Sequence, residues 1–122
     1  MQLMPGTGKQ VARSLGTSHQ KSDLYEVDHN VLLGSAYYRQ LLDRYNGNRV
    51  FAIAAYNAGP HRVDQWRNKA GDTVSVETWV ATIPFKETRN YVQAVLSYNV
   101  VFHHLLGVER SLLTMAELQA AY

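Results

Sequence analysis

The 122-residue sequence predicts an all-α fold, and three observations carry that reading. Apolar residues recur at helical steps of three and four, and glycines stand where those stretches end. The one segment with strand character, Val74-Ser75-Val76, is too short to pair usefully. The length points to one domain and leaves no room for a second. A chain of this size buries roughly two thirds of its unfolded surface, so it needs neither disulfides nor a metal to fold.

Residues 5–8 read as a turn leading into a helix over 9–15, with Gly16 as the residue that ends it. Residues 17–27 are polar and aperiodic and read as a loop. From Asp28, the positions Val31, Leu32, Ser35 or Ala36, Tyr38, Leu41, Leu42 and Tyr45 recur at helical spacing until Asn46-Gly47 stops the run. Asn48 is suited to cap a helix over 49–58. Its centre, Val50-Phe51-Ala52-Ile53-Ala54-Ala55, is too uniformly apolar for a surface helix. Gly59 ends it and Pro60 opens the next, where Val63 and Trp66 face inward before Gly71. Ser75 caps a short helix through Trp79 to Ala81, broken by Ile83-Pro84. The longest helix covers 86–106, with Val92, Val95, Leu96, Phe102 and Leu106 on its apolar side and Gly107 closing it. Thr114-Met115-Ala116-Glu117 has the spacing of a capping box and starts a last short helix.

Composition excludes several function classes. Hydrophobic types at 46% and charged types at 18% exclude a disordered chain. The absence of cysteine excludes a disulfide scaffold, a thiolate zinc site and a cysteine nucleophile. The net charge is +2, with basic and acidic residues spread evenly, so no stripe of a dedicated nucleic-acid module forms. No apolar run approaches the ~20 residues of a membrane span, and residues 1–5 lack the basic and apolar regions of a signal peptide. Eight Tyr stand against three Phe. Tyrosine offers a flat apolar face with a polar tip, which suits sugar rings and also fills half-buried helix positions.

Pro5-Gly6-Thr7-Gly8-Lys9 resembles the end of a phosphate loop, but Leu3 stands where the first Gly is needed, Gln10 where a Ser or Thr should hold Mg²⁺, and no strand precedes it. A glycine-rich turn is the better account, and no nucleotide or other cofactor is expected. The five histidines show no metal-ligand spacing, since His103 and His104 are adjacent rather than i, i+4. No metal site is expected. Tyr56 and Asn57 sit at the end of an apolar helix beside the tight turn Gly59-Pro60. They form either a polar patch facing a ligand or an ordinary cap with a packed ring. Glu87 and Tyr91 are four apart at the start of the longest helix. They project either a carboxylate and a phenol together, or Glu87 compensates the helix dipole and pairs with Lys86 or Arg89.

Four segments in order carry a family resemblance: Met1-Gln2-Leu3-Met4-Pro5-Gly6-Thr7; Asn30-Val31-x-Leu33-Gly34-x-x-Tyr37; Ala55-Tyr56-Asn57-Ala58-Gly59-Pro60; and Ile83-Pro84-Phe85-x-Glu87-Thr88-Arg89-x-Tyr91-Val92. They resemble the catalytic domain of soluble lytic murein transglycosylases, and the resemblance spans essentially the whole chain. It implies a lysozyme-like, all-α fold of the goose-type and transglycosylase kind, and cleavage of the β-1,4 bond between N-acetylmuramic acid and N-acetylglucosamine in peptidoglycan. Such enzymes depart from the two-carboxylate glycosidase scheme. One Glu acts as acid and then as base, while the 6-hydroxyl of the muramic acid closes a 1,6-anhydro ring and no water is consumed.

By the resemblance, Gln2 and Met4 line the cleft near the acid, Tyr56 and Asn57 hydrogen-bond around the scissile sugar, and Glu87 and Tyr91 bind glycan. The family's acid belongs to a Glu-Ser motif on a helix upstream of the Met1–Met4 segment, and no residue of this sequence aligns with it. The expectation is therefore an N-terminally incomplete domain with no catalytic residue of its own, acting in the periplasm or cell envelope by family. The rival reading is a non-catalytic peptidoglycan-binding module. Glu87 as the acid is disfavoured, because a first-turn position favours the charged form. With the upstream helix absent, apolar faces are expected to stand exposed, giving low stability or self-association.

Overall fold

A computed structural model describes residues 4–16 and 26–122, and all regular structure among them is helical. The elements are α1 (Pro5–Leu15), α2 (Val27–Arg44), α3 (Arg49–Ala58), α4 (Pro60–Ala70), α5 (Val76–Ala81), α6 (Lys86–Leu105) and α7 (Met115–Gln119). The architecture is built around α3. Its residues Val50 to Ala55 are all buried, and α2, α4 and α6 pack around it. This is what a helix without a polar face must do, since no side of it can be left to water.

The ends of α3 are fixed by side chains. Asn48 Oδ1 accepts the N–H of Phe51 at 3.2 Å, and Asn48 Nδ2 donates to the Tyr122 hydroxyl at 2.9 Å. The Tyr122 hydroxyl in turn donates to the carbonyl of Glu117 at 2.8 Å. Tyr122, Trp79, Tyr45 and Phe51 form an aromatic core, with Phe51 edge-on to Trp79 at 4.9 Å and tilted against Tyr122 at 4.9 Å. Arg49, the first residue of α3, is gripped by the buried carboxylate of Glu117 through Nη2 and Nε, each at 2.8 Å. The capping box predicted at Thr114 is present, so one carboxylate both starts α7 and docks it on α3.

The predicted boundaries hold at Gly16, Asn46-Gly47, Gly59-Pro60, Gly71, Ser75 and Gly107. Three details differ. The turn expected at residues 5–8 is instead the first turn of α1, with Pro5 at its start, because Gly8, Val11 and Ala12 form a buried face against α2. Packing there overrides the low helix propensity of glycine. Helix α2 begins at Val27, one residue earlier than expected; residues 17–25 of the expected loop lie outside the described residues. Phe102 and Leu106, expected on the apolar side of α6, are 66% and 76% exposed. Periodicity reports which residues share a face, not whether anything covers it. Val27, Val31 and Leu32 of α2 and Tyr98, Val101 and Leu105 of α6 are exposed in the same way.

Candidate functional site

The end of α3 is where the sequence motifs converge. Tyr56 lies on its last turn, and two tyrosines of α2 enclose its ring: Tyr37 at 5.4 Å, tilted, and Tyr38 at 6.5 Å, edge-on. Tyr91 of α6 packs, like Tyr56, against the core built around α3. The Tyr56 hydroxyl is enclosed and has no hydrogen-bond partner among the described residues. Burial, reinforced by the phenols of Tyr91 and Tyr37, pushes it up to about 12. Burial likewise raises Tyr91. These groups remain neutral donors at any ordinary pH. A buried hydroxyl without a partner costs roughly 1–3 kcal/mol, a penalty that a ligand acceptor would remove.

Asn57 is tied to α6 rather than capping its own helix. The buried Thr88 hydroxyl donates to Asn57 Oδ1 at 2.7 Å, which leaves the amide N–H groups for another partner. Glu87 precedes Thr88 and faces solvent. Among the described residues it forms no ion pair with Lys86 or Arg89, and Arg89 instead donates to the carbonyl of Ile83 at 2.7 Å. Met4 is 74% exposed at the start of α1, and no hydrogen bond or ring contact links it to the tyrosine group. Gln2 lies outside the described residues. The structure thus brings Tyr56, Asn57 and Tyr91 together, sets Glu87 beside them, and leaves Met4 apart.

Tyr37, Tyr38 and Thr88 complete this site, and sequence reasoning did not assign them roles. Tyr37 and Thr88 stood inside the matched motifs. Tyr38 was legible only as a core-facing position. Tyr37 also packs on the small cluster of Val11, Ala12 and Leu33, so it couples α1 to the end of α3.

Two concavities lie elsewhere among the described residues. One, of about 490 Å³, is lined by Asp64, Arg67, Asn68, Gly71 and Asp72; another, of about 250 Å³, lies between Arg67, Phe51 and the α7 segment. Asp64, in the first, is already held by Arg44 at 2.5 Å and by the Tyr45 hydroxyl at 3.0 Å. Arg67 lines both grooves, and its buried Nε, like the Tyr56 hydroxyl, has no hydrogen-bond partner among the described residues. An unsatisfied donor therefore does not by itself separate these grooves from the tyrosine site; the convergence of the matched motifs at Tyr56, Asn57 and Thr88 does.

No carboxylate suited to general-acid work stands among the described residues. Glu26, Asp28, Asp43, Asp72, Glu77, Glu87 and Glu109 are exposed. Glu117 is buried, but the hydrogen bonds from Arg49 and Thr114 outweigh burial and hold it below the ordinary carboxylate range. Asp64 is also lowered, its bonds to Arg44 and Tyr45 exceeding the opposing effect of burial. Both shifts run the wrong way for an acid that must keep its proton near neutrality. Among the described residues, no group of three or more His, Asp or Glu could hold a metal ion, and no helix is long and apolar enough to cross a membrane.

Comparison with known proteins gives a consistent picture. Residues 1–78 match the transglycosylase SLT domain model, and residues 82–110 match that of the soluble lytic transglycosylase helical domain. The chain is 36% identical over 124 residues to a soluble lytic murein transglycosylase of Salmonella typhimurium, matching 100% of this chain and 19% of that protein. It is 38% identical over 124 residues to a putative soluble lytic murein transglycosylase of Haemophilus influenzae, matching 100% of this chain and 21% of the relative. The chain therefore spans about a fifth of the length of the curated relatives it matches. Among solved structures, the 70 kDa soluble lytic transglycosylase of Escherichia coli superposes with a TM-score of 0.95 at 31% identity, over 100% of this chain and 20% of that one. An inactive glutamate-to-glutamine mutant of lytic transglycosylase Slt from Pseudomonas aeruginosa superposes at 0.86 with 44% identity, again over 100% and 20%. The 70-kDa enzyme in complex with bulgecin A superposes at 0.96.

Proposed function

We propose, for a chain that belongs to the transglycosylase SLT domain family, that its tyrosine site holds the glycan of peptidoglycan for cleavage of the N-acetylmuramic acid–N-acetylglucosamine β-1,4 bond with formation of 1,6-anhydro ends. The observation that carries the reading is the Asn57 amide, whose N–H groups the Thr88 bond leaves over, beside the Tyr56 ring that Tyr37 and Tyr38 enclose. Tyr56 and Asn57 donate to the sugar at the scissile bond, Tyr91 walls the same site, and Glu87 binds glycan from its solvent side. Gln2 and Met4 keep their assignment to the substrate from the family resemblance alone, Met4 being exposed at the start of α1. The general acid is a Glu supplied from outside these residues, in keeping with the described carboxylates, each exposed or held in its charged form. It protonates the glycosidic oxygen and then, as a base, draws the proton from the muramic 6-hydroxyl that closes the anhydro ring. The place of action is the periplasm or cell envelope, where the substrate lies.

A second reading, a peptidoglycan-binding module without catalysis, is favoured by the same lack of an acid among the described residues. One experiment separates the two. The 122-residue chain is mixed with purified peptidoglycan, soluble products are read by mass spectrometry, and binding of muropeptides is measured by calorimetry. Binding without release is expected. Extending the chain by a family-type Glu-Ser helix is expected to yield products with 1,6-anhydro ends, and continued inactivity of that extended chain would favour the binding module. Anhydro products from the 122 residues alone would place the acid inside them and turn attention to Glu87. Absence of binding would overturn both readings.

A further inference from the structure

We propose that Arg62, held on the ring of Phe85, is a carboxylate-binding position for the acidic peptide stem carried by the glycan; this rests on the glycan reading above. Two contacts join the corner between α3 and α4 to the start of α6. One is the Thr88–Asn57 hydrogen bond at 2.7 Å. The other is the Arg62 guanidinium, whose carbon lies 4.7 Å from the centroid of the Phe85 ring. Trp66 meets the same ring edge-on at 5.5 Å. Arg62 thus stands at the border of the site that contains Asn57.

A guanidinium lying over a ring face keeps its N–H edges free while losing much of its freedom to move. No carboxylate among the described residues uses those edges: the ion pairs formed by arginine belong to Arg39, Arg44 and Arg49. Stabilisation of α4 does not explain the placement either. Arg62 is in the first turn of that helix, where a cation gains nothing from the helix dipole, and the turn contains no acidic residue. Lys86 is exposed at the start of α6, and Glu87 is the one acidic residue in that helix's first turn. The corner is therefore cationic in a chain whose charge is otherwise evenly spread. A planar fork offered at the edge of a sugar site matches a carboxylate bidentately. Murein glycan supplies such carboxylates on its peptide stems.

The test is calorimetry of the chain with two ligands: a stem-bearing muropeptide and the same glycan after its stem has been removed by an amidase. The chain is expected to bind the stem-bearing form about three- to tenfold more tightly. Arg62→Gln is expected to abolish that preference while leaving the affinity for the stem-free glycan unchanged, which also shows that the variant is folded. Arg62→Lys should keep part of the preference, having the charge without the fork. Equal affinity of the unaltered chain for the two ligands, or a preference that survives Arg62→Gln, would overturn this inference and leave the glycan reading standing. Failure to bind either ligand would remove both.

Discussion

Replacing Glu117 by Gln should destabilise the domain far more than an isosteric change usually does. Oε1 of Glu117 accepts from Arg49 Nη2 and the Thr114 N–H, each at 2.8 Å. Oε2 accepts from Arg49 Nε at 2.8 Å and the Arg49 N–H at 3.1 Å. The glutamine NH₂ must occupy one of these positions, so in either orientation it faces two donors. Glu117 is 3% exposed, and water cannot easily relieve the clash. Two lost charge-assisted bonds and a half-buried guanidinium without its counter-ion cost about 4 kcal/mol. In a domain of this size that lowers the melting temperature by roughly 12 °C. Urea and thermal unfolding at neutral pH, followed by circular dichroism, measure it. The pH dependence gives a second check. Glu117 is held below the ordinary carboxylate range, so its contribution is present above the unfolded-state pKa and is lost as pH falls through the folded-state value. The unaltered chain should lose this stability on acidification, and Glu117→Gln should show a flatter profile. A variant melting within about 2 °C of the unaltered chain at neutral pH would refute the assignment of this carboxylate as the clamp between α7 and α3.

Tyr56→Phe removes a hydroxyl that nothing in the described structure satisfies, so stability should hold or rise by about 1 kcal/mol while muropeptide affinity falls; a destabilised variant with unchanged affinity would contradict this. Tyr45 and Tyr56 are both pushed up to about 12, Tyr45 by burial and then by its hydrogen bond to Asp64. Their contribution is present below the unfolded-state pKa near 10 and is lost as pH rises through the folded-state value, so ultraviolet difference absorbance should show late-titrating tyrosines together with unfolding. Simultaneous titration of all eight tyrosines near 10 would go against it. We further infer, from the exposed apolar residues on α2 and α6, that the isolated chain self-associates, and sedimentation velocity should show concentration dependence. A monomer with a sharp melt that does not vary with concentration would overturn that.

Local chemistry was legible in the sequence wherever a few neighbouring residues settle the outcome. Asn48 before an apolar run, Ser75 before Val76 and Thr114 three residues before Glu117 each announce a cap, and each cap is present. Distant partners were not. Nothing near Glu117 in the sequence signals that Arg49, 68 residues away, will take both its oxygens. Thr88 read as a motif residue, yet its use is a bond to Asn57, 31 residues away. The start of α1 was misread because Pro-Gly-Thr-Gly has the local character of a turn, whereas burial of Gly8 against α2 is a tertiary effect. Periodicity grouped Phe102 and Leu106 with Val92 and Leu96, yet the last two are buried and the first two exposed, because the pattern carries no information about what covers a face.

The two ties on α3 have a consequence for how the molecule assembles during synthesis. Arg49 waits for Glu117, and Asn57 waits for Thr88. On a ribosome that releases the N-terminal part first, the local Asn48 cap can form early, but the ties of Arg49 and Asn57 to later segments cannot form until those segments emerge. Closing such long loops is the slow part of folding. The corner that joins Asn57 to α6 is therefore among the last regions to set, and an arrested nascent chain ending before Thr88 would present Tyr56 and Asn57 without the contact that fixes them.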